Sequence, residues 1–278
     1  MPEGHTLHRL ARALTDAFGN RTVAVTSPQG RFADSAALLD AQVLVGAEAW
    51  GKQLFIEFPG DTFVHVHLGL IGTFEVHAEV ADVPAPVGQV RLRIAHETAY
   101  ADLRGASACE LWTTQQRDAV VAAAGPDPLR VGSDPMLAWE RIARSRLPIG
   151  ALLMDQTVLA GVGNVYRAEL LFRHRIHPRR PGRTLRVGQW RAMWDDLVLL
   201  MAEGARTGRI DTVRPEHTPE AMGRRPRVDD HGGEVYVYRR HGQPCWVCGR
   251  RVSTEVLQGR NSFWCSRCQP VFRSRAVE

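Results

Sequence analysis

The sequence predicts an α+β protein built from three parts. Short β-rich runs separated by Gly, Pro, Asp and Asn fill residues 21–112, which is typical of a β-sandwich. From Pro135 onward the apolar residues recur at three- and four-residue spacing, which indicates helices. Two CxxC pairs stand close to the end of the chain and predict a third, small part held by four cysteines.

The first part begins with a helix followed by strands. One apolar face at helical spacing marks that helix: Leu7, Leu10, Leu14 and Phe18. The predicted strands are Thr22–Thr26, Leu54–Phe58, Phe63–His67, Gly72–Val76 and Val90–Ile94, with turns at Gly30-Arg31-Phe32 and Gly51-Lys52. We expect the helix to pack against the sandwich that these strands form.

The helical part follows a cluster of helix-breaking residues, Gly125-Pro126-Asp127-Pro128. Its predicted helices are Met136–Arg146, Gly150–Leu159, Val165–Phe172 and Val187–Arg206. Polar, Pro- and Gly-bearing residues then predict a mobile surface loop at 207–234. The resulting division is 1–112 for the sandwich, 113–134 for a linker, 135–234 for the helical part with its loop, and 235–278 for the cysteine part.

Charge is divided unevenly along the chain. Residues 1–134 hold 10 Lys+Arg and 16 Asp+Glu, a net charge of −6, whereas residues 135–278 hold 25 and 14, a net charge of +11. A basic half of this kind favours a nucleic-acid partner over a merely solvated surface. No apolar run reaches 18 residues and no signal-peptide pattern opens the chain, so we expect an intracellular, cytoplasmic protein with no membrane partner.

The cysteine spacing is the strongest single motif. Cys245-Trp-Val-Cys248 and Cys265-Ser-Arg-Cys268 are separated by 16 residues, and two such knuckles form a closed tetrahedral site for one structural Zn²⁺. Disulfides are the alternative, but they are rare inside cells. The fifth cysteine, Cys109, has no partner motif and is expected to be a small buried residue.

The start of the chain, Met1-Pro2-Glu3, suggests covalent chemistry. Removal of Met1 would leave Pro2 with a free amine that can attack an aldehyde carbon and form an iminium, with Glu3 beside it to move protons. The alternative is a purely structural role at the start of a helix, because Pro suits the first turn and Glu complements the helix dipole.

Two basic residues stand at predicted turns. Lys52 is the one lysine among 35 basic residues, which indicates chance or a position that needs a flexible ammonium. Arg260 lies at the tip of a predicted β-hairpin over 256–264, where an arginine suits a phosphate or is simply a solvated turn residue.

Taken together, four features resemble the formamidopyrimidine-DNA glycosylase/endonuclease VIII family of base-excision repair enzymes. They are Pro2-Glu3, the Lys52 turn, Gly161-Val162-Gly163-Asn164, and the four-cysteine hairpin with Arg260. The resemblance spans essentially the whole chain, and the opening MPEG is closer to the endonuclease VIII branch. It implies a helix–two-turn–helix domain in the middle and a zinc-finger β-hairpin at the end.

The resemblance also implies a bifunctional DNA glycosylase and AP lyase that removes oxidised bases, with pyrimidines favoured. Pro2 would be the nucleophile at C1′ and Glu3 the proton donor to the opening sugar. Lys52 would hold the DNA backbone near the lesion, while successive β- and δ-eliminations cut the strand.

Three further residues would bind the damaged DNA. Asn164 and Arg260 would grip the phosphates that flank the flipped nucleotide. Leu70, in the loop His67-Leu-Gly-Leu70, would help fill the space that the everted base leaves.

The chain departs from the family at two places. His5-Thr6 replaces a Pro-Glu pair, which leaves the strength of base excision open, and a non-catalytic lesion-binding protein is the competing hypothesis. An unrelated zinc-ribbon adaptor would explain the last forty residues alone. The small apolar loop residues Gly69, Leu70 and Ile71 suggest activity on single-stranded or forked DNA besides duplexes, and we expect a monomer.

Overall fold

The computed structural model describes residues 2–228 and 233–273, and the chain divides into two compact units between Ala123 and Ala124. The first unit contains two antiparallel sheets and a long helix. The second is mostly helical and ends in a two-stranded hairpin. The α+β class predicted from the sequence is confirmed.

Unit 1 has a four-stranded sheet of order β3-β4-β5-β9 and a five-stranded sheet of order β2-β1-β7-β8-β6. Its strands are β1 (Arg21–Thr26), β2 (Gln42–Leu44), β3 (Gly46–Trp50), β4 (Gln53–Phe58), β5 (Thr62–His67), β6 (Thr73–His77), β7 (Leu92–His96), β8 (Ala99–Arg104) and β9 (Ala108–Trp112). Its helices are α1 (Gly4–Phe18), α2 (Ala33–Leu39) and α3 (Thr114–Ala123).

One core joins the two sheets to α1. The predicted helical face, Leu7, Leu10, Leu14 and Phe18, is buried as expected. These residues share a single apolar cluster with residues from both sheets, such as Val25 and Ile56. Burying a side chain of this size stabilises the fold by about 1.5–3 kcal/mol, so the cluster fixes α1 on the sandwich.

All five strands predicted from the sequence exist, within two residues at each end. The alternation over 54–58 is incomplete, because Phe55 is buried as well as Leu54 and Ile56. Four strands and two helices of unit 1 were not predicted: β2, β3, β8, β9, α2 and α3. β3 and β9 are rich in Gly, Ala, Glu and Cys, so they carry little β-propensity and are held by pairing with β4 and β5.

Unit 2 contains the helices α4 (Pro135–Arg144), α5 (Ile149–Leu152), α6 (Asn164–Arg173), α7 (Val187–Thr207) and α8 (Pro219–Met222). Two short 3₁₀ turns cover Gly182–Thr184 and Pro215–His217, and the hairpin consists of β10 (Ser253–Leu257) and β11 (Arg260–Trp264). One apolar cluster runs from α4 through α7 to the cysteine knuckles.

The helix predicted over Gly150–Leu159 is wrong beyond Leu152. Asp155 accepts hydrogen bonds from the backbone N–H of Thr157 and from its hydroxyl, at 2.9 and 2.8 Å. Gln156 bonds forward to Gly161 and to the carbonyl of Val162. These local bonds satisfy the backbone outside a helix and turn the chain toward α6.

The segment 113–134, expected to be a linker, contains the helix α3, which belongs to the first unit. The breaker cluster 125–128 is buried in the second unit, where a Cβ on Gly125 would lie 2.4 Å from the backbone of Val158. The further division into 135–234 and 235–278 stays a prediction.

The loop predicted at 207–234 is partly ordered by hydrogen bonds. Thr212 is fully buried, and 3₁₀ and α-helical turns follow it. Residues 229–232 of this loop lie outside the described residues. Cys109 is buried on β9, as predicted. Across 2–228 and 233–273, no helix combines the length and apolar character needed to cross a membrane.

Two aromatic side chains lie side by side on the four-stranded sheet, His65 on β5 and Trp112 on β9. His65 stacks on Trp112 with ring centroids 3.7 Å apart, and its Nε2 lies 2.7 Å from Oε1 of Gln53. Burial lowers the pKa of His65 to about 4, against a smaller opposing effect of Glu110 and a smaller reinforcing effect of His67. The folded protein therefore holds this imidazole neutral at pH 7.

This burial predicts acid sensitivity of unit 1. An unfolded histidine takes up a proton near pH 6.5, whereas folded His65 does so only near pH 4, so stability is lost as the pH falls from 6.5 to 4. We expect His65→Phe to remove this pH-dependent part of the free energy of unfolding, which is on the order of 2 kcal/mol. Urea unfolding at stepped pH checks it, with exposed His77→Phe as the control. Equal pH dependence in wild type and His65→Phe would contradict the prediction.

Candidate functional site

The proposed catalytic carboxylate is buried at the start of α1. Glu3 is the N-cap of that helix, in extended conformation, and is 0% exposed. Its carbonyl accepts a hydrogen bond from Thr6 N–H at 2.9 Å. The helix N-terminus and its amide groups favour a negative charge here. Pro2, directly before it, is half-buried.

His5 and Thr6, in the first turn of α1, form a neutral pair. His5 is buried, and its Nε2 lies 3.3 Å from the hydroxyl of Thr6. Burial, reinforced by the nearby N-terminal charge and Arg9, lowers the pKa of His5 to about 4. This position therefore offers an uncharged imidazole and a hydroxyl near neutral pH, and no carboxylate.

Lys52 lies in the two-residue turn of the hairpin between β3 and β4, as predicted. Trp50 pairs with Gln53 across that turn, and Gly51 has φ of +58°. Two-residue hairpin turns favour glycine at their first position, because that position has positive φ. The side chain of Lys52 is half-buried.

The α1 start and the Lys52 turn lie at the same end of unit 1. The Thr15 hydroxyl bonds to both the N–H and the carbonyl of Ala47, and α1 packs along β3 from that point. Eleven helical residues from Thr15 back to Gly4 span about 16 Å. Just past the C-terminal end of α1, Asn20 donates its N–H to the carbonyl of Leu44 at 2.7 Å, so β3 runs back toward the start of α1 and ends at Trp50, directly before the Gly51-Lys52 turn. The structure therefore brings the Pro2-Glu3 end and Lys52 to one edge of the sandwich.

The loop with Leu70 follows β5 at this same edge. Gly72 N–H bonds back to the carbonyl of Leu68 at 3.0 Å, and Gly69 has φ of +70°. Leu68 is buried, whereas Leu70 and Ile71 are 56% and 83% exposed. Two apolar side chains therefore project from a closed turn.

His67 fastens the base of that loop. Its Nδ1 lies 2.8 Å from the hydroxyl of Ser107, and that hydroxyl also bonds to the carbonyl of His67 at 2.9 Å. Burial, and secondarily the positive charge of Lys52, lowers the pKa of His67. The Lys52 ammonium is therefore close enough to His67, at the base of the loop, to lower the pKa of its imidazole.

In unit 2, Asn164 begins α6 and reaches the zinc-finger hairpin. Its amide donates a hydrogen bond to the carbonyl of Asn261 at 3.0 Å. Arg167, which is 1% exposed, donates to the same carbonyl at 2.9 Å and to Oδ1 of Asn164. The structure therefore brings Asn164 together with the residue next to Arg260.

Arg260 is exposed at the first position of β11, beside the hairpin turn. Gln258 and Gly259 form that turn, and both have positive φ. This pattern belongs to a two-residue turn that matches the twist of the strands. The predicted hairpin is confirmed, and the residue after Arg260, Asn261, contacts the first residue of α6 through its carbonyl.

A buried carboxylate anchors the chain that leads to the cysteines. Glu169 is 0% exposed and accepts hydrogen bonds from the N–H groups of Tyr236, Val237 and Tyr238 at 2.7–2.8 Å. The hydroxyl of Thr212 adds a fourth bond at 2.6 Å. Four donors compensate the desolvated charge and tie two distant segments to α6.

The four knuckle cysteines form one cluster. Their Sγ atoms all lie within 4.8 Å of one another, with Cys245 and Cys268 at 3.9 Å and Cys248 and Cys265 at 3.4 Å. A tetrahedral zinc with bonds of about 2.3 Å requires sulfur pairs about 3.8 Å apart, so the donor set fits this ion. The separations are too long for disulfides.

Two arginines and a glutamine support the knuckles. Arg240 and Arg224 lie 3.7 and 4.3 Å from the ring centroid of Trp246, between the first two cysteines. Gln269 accepts from Cys265 N–H and donates to the carbonyl of Ile176 at 2.8 Å. The cluster is therefore joined to the helical core.

Family comparisons agree with this architecture along the chain. Residues 1–109 match the formamidopyrimidine-DNA glycosylase N-terminal domain, 124–214 its H2TH domain, and 242–271 the zinc finger found in FPG and IleRS. Endonuclease 8 1 of Mycobacterium tuberculosis is 55% identical over 97% of this chain and 100% of its own length. The formamidopyrimidine-DNA glycosylase of Chloroflexus aggregans is 30% identical over 97% and 98%.

Solved structures share the fold. The Lactococcus lactis Fpg in complex with DNA containing an abasic site superposes with a TM-score of 0.77, at 22% identity, covering 97% of this chain and 100% of that one. MutM (FPG) of Thermus thermophilus gives 0.73 at 26% identity, covering 96% and 98%.

The chain belongs to the formamidopyrimidine-DNA glycosylase/endonuclease VIII family, as the sequence resemblance indicated. Members of this family are DNA glycosylases with AP lyase activity, so the predicted enzyme class, a DNA-binding repair enzyme with a four-cysteine zinc finger, is confirmed.

Sequence reasoning missed the residues that support the site. Arg167 lies three residues after Asn164, Gln156 bonds to the loop before α6, and Ser107 holds His67. Glu169 was likewise unmarked among the apolar residues of α6. Their partners are far away in sequence or are backbone atoms, so no local motif signals them.

Proposed function

We propose that this protein is a bifunctional DNA glycosylase and AP lyase that removes oxidised bases, with pyrimidines preferred, through a Schiff base at Pro2. The observation that carries the proposal is the pairing of a Pro2 N-terminus with Glu3 buried at the N-cap of α1. The 55% identity to an endonuclease 8 favours the pyrimidine-directed branch.

The chemistry begins once Met1 is removed. The secondary amine of Pro2 attacks C1′, the glycosidic bond breaks and the base departs with its electron pair and a proton. The sugar ring opens as the iminium forms, and Glu3 protonates the ring oxygen. Loss of the C2′ proton then expels the 3′ phosphate, and a second elimination expels the 5′ phosphate.

Lys52 is proposed to seat the DNA backbone beside the reacting sugar. The α1 start and the Lys52 turn lie at one edge of unit 1, which supports this role. A compact ammonium on a tight turn can meet a phosphate as a point charge. A turn is also a poor place to desolvate a lysine, which disfavours Lys52 as the nucleophile.

Unit 2 is proposed to hold the flanking phosphates. The N-terminal amides of α6 and the guanidinium of Arg260 offer positive ends to an anion, and Asn164 fixes the hairpin beside them. On unit 1, Leu70 is proposed to enter the stack where the base has left. Substrates would include duplexes and single-stranded or forked DNA, acted on by a monomer in the cytoplasm.

One Zn²⁺ is proposed to be held by Cys245, Cys248, Cys265 and Cys268. With all four positions filled by thiolates, the ion is structural and takes no part in the reaction. Its role is to hold the knuckles, and with them the hairpin that carries Arg260.

A lesion-binding protein without excision is the second candidate. It is favoured by the neutral His5-Thr6 pair, which supplies no second carboxylate beside Glu3. Base release from an oxidised-pyrimidine duplex distinguishes the two functions.

The first prediction concerns the N-terminal amine. Borohydride should trap wild-type protein on abasic-site DNA, with Pro2 as the linked residue by peptide mapping. A form that keeps one residue ahead of Pro2 should trap poorly, because its proline nitrogen is then an amide. Pro2→Gly is the control, since it keeps an N-terminal amine. Efficient trapping by the extended form would refute the mechanism.

The second prediction separates the roles of Pro2 and Lys52. Lys52→Ala should reduce excision of an oxidised pyrimidine at least tenfold, an order-of-magnitude expectation for lost positioning, while abasic-site trapping changes by less than about threefold. Lys52→Arg tests whether a planar guanidinium can substitute. If Lys52→Ala abolishes trapping while the form with one residue ahead of Pro2 retains it, Lys52 is the nucleophile.

The third prediction concerns the metal. Metal analysis should give about one zinc per chain. Cys265→Ser should lose the zinc and weaken DNA binding, while the urea unfolding of unit 1 stays unchanged. Cys109→Ala removes a buried cysteine outside the cluster and should keep both zinc and binding. A zinc-free protein with undiminished DNA binding would contradict the proposal.

A further inference from the structure

A small pocket lies in unit 2 at the C-terminal end of α6. Its volume is about 160 Å³, and its floor is apolar, with Phe172 and Tyr236 stacked at a centroid distance of 4.5 Å. Val247 and Cys268, one of the four knuckle cysteines, complete the wall. An engineered cavity of about 150 Å³ is known to hold benzene, so one six-membered ring fits this space.

The polar groups of the pocket converge on one hydroxyl. The Tyr236 hydroxyl accepts a hydrogen bond from Arg214 N–H at 2.8 Å and lies 3.0 Å from Nδ1 of His217. The imidazole of His217 meets the Tyr236 ring edge-on at 5.6 Å. These contacts fix the floor of the pocket before any ligand enters.

The rim carries more positive charge than its neighbours neutralise. Arg173 is engaged with Asp196 at 2.6–2.7 Å and with the carbonyl of Thr212. Within the described part of the chain, the guanidiniums of Arg175 and Arg214 make no hydrogen bond or ion pair. The only carboxylate among the lining residues is Glu216, which is 60% exposed.

Arg175 is also in an unusual backbone position. It follows the last turn of α6 with φ of +57°, and N–H bonds from Arg175 to Phe172 and from Ile176 to Leu171 close the helix. Glycine is the usual residue at this left-handed position, because a Cβ is disfavoured there.

We propose that this pocket binds a small planar aromatic anion, a single ring carrying one carboxylate or phosphate. The ring would lie on Phe172 and Tyr236, and the anionic group would face Arg175 and Arg214. Asn164 starts α6 and Arg173 ends it, about 14 Å away, so the pocket is at the other end of this helix from the proposed phosphate grip.

Benzoate is the probe, measured by calorimetry and saturation-transfer NMR on the full chain. We expect one saturable site, and we expect benzyl alcohol, which lacks the charge, to bind about tenfold more weakly. Cyclohexanecarboxylate, which keeps the charge but cannot stack, should also bind more weakly.

The variants Arg175→Gly and Arg214→Gln should each weaken benzoate binding about fivefold. Arg175→Gly places glycine at a left-handed position, so its thermal stability should not fall and a loss of binding is not a loss of fold. Arg191→Gln, an exposed arginine on α7, is the matched control and should change binding less than about twofold. Duplex DNA should not displace benzoate.

Three results would overturn the proposal: no saturable benzoate binding, equal weakening by Arg191→Gln, or displacement of benzoate by a DNA duplex. The last would assign the two arginines to the DNA surface. Since base excision is not the readout, failure here is separate from failure of the proposed glycosylase function.

Discussion

The buried carboxylate of Glu169 is the interaction on which unit 2 depends. A charge removed from water is tolerated only where several donors replace its hydration, and here three backbone N–H groups and one hydroxyl do so. The positive charges of Arg173 and Arg240 also face it. Because those N–H groups belong to residues 236–238, the chain entering the knuckles is fixed to α6.

The position of the β10-β11 hairpin is set by the bonds of Glu169 and by Asn164. Asn261 is held by two side chains of α6, and Gln269 ties the second knuckle to Ile176. Arg260 is therefore presented by a surface fixed at three points. Metal and hydrogen bonds act together here: the ion would hold the knuckles, and the bonds hold the hairpin on the helix.

The features that were predicted correctly are those that a short stretch of sequence determines. The CxxC spacing, the Gly51-Lys52 turn and the hairpin at 258–259 are short-range patterns, and the structure contains them. The false helix over 153–159 arose because apolar spacing cannot register the side-chain bonds of Asp155 and Gln156. Arg167 could not be predicted as a support, since its partner Asn261 is 94 residues away.

The loop after β5 contains, within five residues, both residues that hold the turn together and residues that only face solvent. Leu68 is buried, a Cβ on Gly72 would lie 2.2 Å from the carbonyl oxygen of Leu68, and the base is fastened to Ser107. Leu70 and Ile71 bear none of this and face solvent. Substitution of either side chain should therefore cost little folding stability, so the surface of this turn can change while the contacts that hold it stay in place. Relatives could diverge in how they meet the opposite strand while the fold remains the same.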